Sequence, residues 1–229
     1  MRPPERFMRR STIPVLFSWS ALAPVLALST IFTMFGVQMG LPLVVSTIFG
    51  GLGCAASLLF HELGHVRAAS TVPSLRPTSV SFIWAGAATT FEGRYSTGRE
   101  QMRVAIAGPC ASFTFALALL AVCALPAPMQ IKEPLALLAL FNILIALLNL
   151  VPASPLDGYK LVVGVLWSLT GSESSARRIL RRIGIGWAIL ELPAAFVLLV
   201  ERPLVGSVVL LAGGTLFVQK RLTHRLARS

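Results

Sequence analysis

The segment FHELGHVRAA, Phe60 to Ala69, decides the reading of this chain because of what precedes it. The nineteen residues from Leu41 to Leu59, LPLVVSTIFGGLGCAASLL, carry no charge and resemble the interior of a lipid bilayer. On a continuing helix His61 and His65 stand at i and i+4, on one face and about 5–6 Å apart at Cβ. That spacing suits two imidazole nitrogens on one metal ion. Glu62, between them, is placed to act as a general base toward water at that metal. Ionisable groups are costly at membrane depth and usually functional, so the pattern predicts a metal site at the inner end of a membrane helix.

Composition agrees with a membrane chain. The 229 residues are 55% hydrophobic and 13% charged, and the formal net charge is +11. The basic residues flank apolar runs, as at Arg2, Arg6, Arg9 and Arg10 before the first, and at Arg177, Arg178, Arg181 and Arg182 between two others. That is the pattern of membrane topology and not of a phosphate-binding face, so nucleic acid is not an expected partner. Cys54, Cys110 and Cys123 lie in apolar stretches without paired spacing and read as buried helix residues.

Hydropathy predicts about six spans, near Ile13–Phe35, Leu41–Val66, Met102–Leu125, Pro134–Pro152, Ile183–Val200 and Leu204–Val218. The first apolar run is longer than a signal-peptide core, which predicts an uncleaved span. With both termini in the cytoplasm, all but Lys132 and Arg202 of the 20 Lys and Arg residues lie inside. The predicted fold is therefore an all-α polytopic membrane protein forming one domain over 1–229, with a basic cytosolic tail at 220–229. Two segments do not fit simple spans. Residues 77–91, PTSVSFIWAGAATTF, are short, apolar and partly alternating, which suits either a membrane-associated β-hairpin or a cytosolic loop. Residues 159–170 either extend the fourth span or lie at the interface.

A catalytic zinc takes three protein ligands and keeps one position open, so two histidines need a partner. His224 lies in the basic tail, and Asp157 is the single aspartate. The second and fourth spans enter from the same side, which brings His61 and Asp157 to one level at 1.5 Å per residue. Asp157 is thus the expected third ligand. Its setting, NLVPASPLDG from Asn149 to Gly158, places Pro152 and Pro155 where a helix must break. Broken backbone at membrane depth survives only against protein or a water-filled cavity, which gives water a route to the metal.

HELGH together with Asn149-x-x-Pro152-x-x-x-x-Asp157-Gly158, and the sequence AGP at 107–109, resembles the site-2 protease family of intramembrane zinc metalloproteases. The resemblance implies one zinc ion on His61, His65 and Asp157, Glu62 as catalytic base, and Asn149 positioning substrate near the metal. It also implies that 77–91 presents an extended substrate by strand addition. The expected reaction is hydrolysis of a peptide bond in or near the membrane segment of another protein, with membrane-bound regulators of transcription among such substrates. It would follow trimming of the substrate's outer domain, as in regulated intramembrane proteolysis. The expected setting is a bacterial plasma membrane. The likeness is to a minimal six-span form, without an inserted PDZ domain or a C-terminal nucleotide-sensing pair. A membrane zinc carrier or sensor that does not hydrolyse is the alternative, and Glu62 separates the two. Enzymes acting on soluble or prenylated chains call for a glutamate ligand downstream. Here only Glu92 and Glu191 approach membrane depth, and Glu92 beside Arg94 reads as an ion pair.

Overall fold

The computed structural model describes residues 13–83 and 86–182. Four helices in it are long and apolar enough to cross a membrane: Trp19–Gln38, Leu43–Ala69, Gly98–Cys123 and Met129–Asn149. They match the first four predicted spans. The fifth and sixth, the tail at 220–229, His224 and Glu191 lie outside the described residues.

The first span starts later than hydropathy predicts. Val15–Phe17 forms strand β1, and Ser18 then caps a 3-10 turn over Trp19–Ala21 that leads into α1, Leu22–Gln38. Apolar residues near a membrane surface suit a strand as well as a helix, and here a distant partner decides. β1 pairs in parallel with β2 (Leu75–Ile83), Val15 against Val80 and Phe17 against Phe82. β2 pairs antiparallel with β3 (Gly86–Gly93), so 77–91 does form a hairpin, inside a sheet ordered β1-β2-β3. Gly86 takes φ +108° at the turn, a conformation that side chains with Cβ rarely adopt.

The second span is one continuous helix made of α2 (Leu43–Ile48), a π-helical turn over Phe49–Gly53 and α3 (Cys54–Ala69). The π turn is the glycine-rich FGGLG, and it lets α1 approach. Ser29 Oγ donates to the Gly50 carbonyl at 3.0 Å, and a Cβ on Gly50 would lie 2.7 Å from the Ser29 carbonyl oxygen. Further along, Asn142 Nδ2 donates to Ser57 Oγ at 2.8 Å, tying α3 to α5 one turn before His61.

α4, Gly98–Cys123, stands at the centre against α3, α5 and α6. A capping box starts it: Thr97 Oγ1 accepts from the Glu100 amide, and the Glu100 carboxylate accepts from the Thr97 amide. Gly64, the glycine of HELGH, is where α3 and α4 cross. A Cβ there would sit 2.5 Å from the Ala107 carbonyl oxygen and 2.7 Å from Ala111 Cβ. Gly64→Ala is therefore expected to destabilise the bundle by about 1–3 kcal/mol, the range for overpacking a core, read by thermal unfolding in detergent. An unchanged melting temperature would show that this crossing yields freely.

α5, Met129–Asn149, ends at the predicted break, and the chain turns before α6 (Asp157–Thr170) begins. Residues 159–170 thus belong to a separate helix that Asp157 opens. Gly158 makes the turn possible, since a Cβ on it would collide with the carbonyl oxygens of Leu150 and Val151. α6 then crosses α4 by a glycine pair: a Cβ on Gly164 would sit 2.7 Å from the Gly98 carbonyl oxygen. After Gly171 a further helix occupies 173–182 and packs Ala176 and Leu180 on Val163. Cys54 is buried as expected and Cys123 half-buried, whereas Cys110 faces outward from α4, and all three are free thiols.

Candidate metal centre

His61, Glu62 and His65 are buried on α3, and Asp157 is buried at the start of α6. His61, His65 and Asp157 each offer one ligand atom, and these atoms lie within 4.8 Å of one another. Asp157 Oδ2 is 3.1 Å from His61 Nε2 and 2.9 Å from His65 Nε2. The level deduced for the single aspartate is the level at which it stands.

The other ring nitrogens are already committed. His65 Nδ1 lies 2.7 Å from the Val104 carbonyl oxygen, to which it can only donate. His61 Nδ1 lies 2.9 Å from Ser112 Oγ. Both partners are on α4. With its Nδ1 hydrogen given to the Val104 carbonyl, neutral His65 turns an Nε2 lone pair toward the Asp157 carboxylate, and the Ser112 hydroxyl can hold His61 in the same tautomer by accepting from its Nδ1. Three electron-pair donors converging on one spot repel unless positive charge lies between them, and His-His-Asp is a donor set that zinc accepts.

Gly108 of α4 faces this spot, and a Cβ on it would lie against Nε2 of both histidines. Lys160 Nζ donates to Asp157 Oδ1 at 2.9 Å, so Oδ2 alone is left toward the histidines. Gln101 Nε2 donates to the Lys160 carbonyl at 2.8 Å, fastening the first turn of α6 to α4. Tyr95, on the loop before α4, has its phenol pushed up to about 12, first by burial and then by the Asp157 charge. It therefore stays a neutral hydroxyl beside the site.

Glu62 lies next to the histidines, with Thr89 Oγ1 of β3 donating to its Oε2 at 2.6 Å. Asn149 is not part of the group. Its side-chain amide donates to the Ile145 carbonyl of its own helix at 3.0 Å. Glu92 is exposed on β3 and forms no ion pair among the described residues, so the expected pairing with Arg94 is absent there. Sequence reasoning did not find Thr89, Val104, Ser112, Gly108 or Lys160 as parts of the site. Of these, Gly108 and Ser112 carried a signal, an i, i+4 pair of small residues on one face of a membrane helix.

Comparison with known proteins agrees with this geometry. Residues 124–190, which include the Asn149–Gly158 segment, match the model of peptidase family M50. A Synechocystis protein named as a zinc metalloprotease, sll0528, is 32% identical over 138 residues, 60% of this chain and 36% of that protein. Rip3 of Mycobacterium tuberculosis, also named as a zinc metalloprotease, is 33% identical over 191 residues, 80% of this chain and 44% of Rip3. The chain thus spans less than half the length of these relatives. The fold is shared with the site-2 protease from Methanocaldococcus jannaschii, with a TM-score of 0.58 at 21% identity over 89% of this chain and 90% of that one. Site motif, sequence relatives and fold point the same way: the chain is similar over residues 124–190 to peptidase family M50 and shares its fold with a site-2 protease.

Proposed function

We propose that this chain is a zinc-dependent endopeptidase that hydrolyses a peptide bond in or near the membrane span of another protein. The observation that carries the reading is the convergence of His61, His65 and Asp157 beside Glu62, on helices that meet at the end of a membrane span. The three residues would hold one zinc ion, which supplies Lewis-acid activation of water and of the scissile carbonyl when bound.

The rest falls to the chain's own groups. Glu62 takes a proton from the attacking water and returns it to the leaving amine. The Val104 carbonyl fixes the His65 tautomer, Ser112 orients the His61 ring, and Lys160 fixes the carboxylate of Asp157. Asn149 would turn its amide from Ile145 toward substrate near the metal. A helical substrate hides its backbone, so the cut segment must unwind into an extended strand. β1 and β2 are paired, and β3 is the sheet's other outer strand, next to Glu62; this supports docking of the strand on β3. The positive-inside pattern supports cytoplasmic termini, a bacterial plasma membrane is the setting we infer, and a membrane-bound regulator of transcription is one fitting substrate.

Metal removal tests the reading. Reconstituted protein is expected to hold one zinc per chain and to cut a single-span membrane substrate. Chelation should abolish the cut, and added zinc should restore it. Cleavage that continues at full rate in thoroughly metal-free protein would sink the proposal.

A further inference from the structure

Glu62 has a partner that comes from the sheet rather than from the helical bundle. Thr89 Oγ1 is 2.6 Å from Glu62 Oε2 and 3.3 Å from the Glu62 carbonyl oxygen. Thr89 lies in the middle of β3, opposite Val80 of β2. Two residues on along the same face of β3, Phe91 packs against the buried cluster of Ala69, Val72, Leu75 and Val104. Apolar contact thus already anchors the strand to α3 and α4, and the threonine hydroxyl adds a single polar link.

We propose that Thr89 is a positioning residue for Glu62, an inference that rests on the base role given to Glu62 above. A glutamate side chain turns about three bonds, and one hydrogen bond from a strand removes much of that freedom. Because the hydroxyl occupies Oε2, Oε1 is the oxygen left to face the attacking water. The strand that holds the base is also an outer strand of the sheet. A substrate strand docked on β3 therefore moves, or steadies, Thr89 and Glu62 together, which links occupancy of the edge to readiness of the base.

Valine has nearly the shape of threonine and lacks only the hydroxyl, so Thr89→Val isolates the proposed role. Wild type, Thr89→Val, Thr89→Ala, Thr89→Ser and Glu62→Gln are reconstituted in phospholipid vesicles with a single-span substrate, and kcat, KM and zinc content are measured. Thr89→Val is expected to keep its zinc and its KM while kcat falls about 10- to 100-fold, the range for losing an outer-shell partner. Thr89→Ser, which restores the donor, should recover most of kcat. A Thr89→Val protein with wild-type kcat overturns the proposal, as does a Thr89→Ser protein no faster than the valine form. If Thr89→Val and Thr89→Ala both lose zinc or fail to fold, the hydroxyl serves the fold and the proposal also fails. Glu62→Gln separates the levels: full activity there removes the base role itself, whereas an inactive Glu62→Gln beside a fully active Thr89→Val removes only the role of Thr89.

Discussion

Glu62→Gln is expected to slow peptide hydrolysis by about 10²- to 10⁴-fold, the usual contribution of a positioned general base. The substitution keeps the side chain's shape and replaces a carboxylate with an amide that does not accept a proton. The amide oxygen still accepts from Thr89, so the link between β3 and α3 persists. His61, His65 and Asp157 are untouched, and zinc content should stay that of wild type. A carrier or sensor would behave differently, since metal binding does not use Glu62 and the variant would work as well as wild type. Single-turnover cleavage of a membrane substrate, with metal analysis on the same sample, decides the matter. A variant that cuts at the wild-type rate would remove Glu62 from the chemistry.

Gly108→Ala is expected to empty the metal site while leaving the bundle folded. The new methyl group would lie against Nε2 of both His61 and His65, the two nitrogens that would hold the ion. Loss of an outer-shell partner costs about 10- to 100-fold in metal affinity. Here the methyl presses on two candidate ligand atoms at once, so the loss should be at least about 100-fold, the top of that range. Alanine is the better helix former by about 1 kcal/mol, and α4 has no helical reason to unfold. Zinc titration against a competing chelator reads the affinity, and circular dichroism checks the helices. Tight zinc in a folded Gly108→Ala protein would show that the ion binds elsewhere than between these nitrogens.

The two predictions differ in how far the sequence alone reaches. Glu62 and the histidines are legible because one helix fixes their spacing. Asp157 is legible because two spans entering from one side share a depth scale, and the chain has no other aspartate. Gly108, Ser112 and the Val104 carbonyl answer to a different variable, the rotation of α4 against α3, which no local pattern sets. Thr89 depends on where a strand lies on a helix, and Lys160 on the side of α6 that follows the turn at Gly158. The same cause explains the misread start of the first span. Val15–Phe17 continues an apolar run, and only the parallel pairing with Val80–Phe82, more than sixty residues away, makes it a strand. The hairpin itself was half legible: alternation and Gly86 pointed to it, while its contact with Glu62 did not follow from either.

The position of Asp157 as the first residue of α6 also bears on how the molecule is born. Ninety-two residues separate His65 from Asp157, and the hairpin, α4 and α5 all lie between them. At about 5–20 residues per second, the ribosome takes roughly 5–20 s to bridge that gap. During that interval the nascent chain holds both imidazoles and the glutamate without the carboxylate that stands beside them in the folded chain. On the proposed function, the site is completed only after α4, which carries the partners of both histidines, has been made. A nascent chain stalled before α6 carries HELGH without the carboxylate that completes the group.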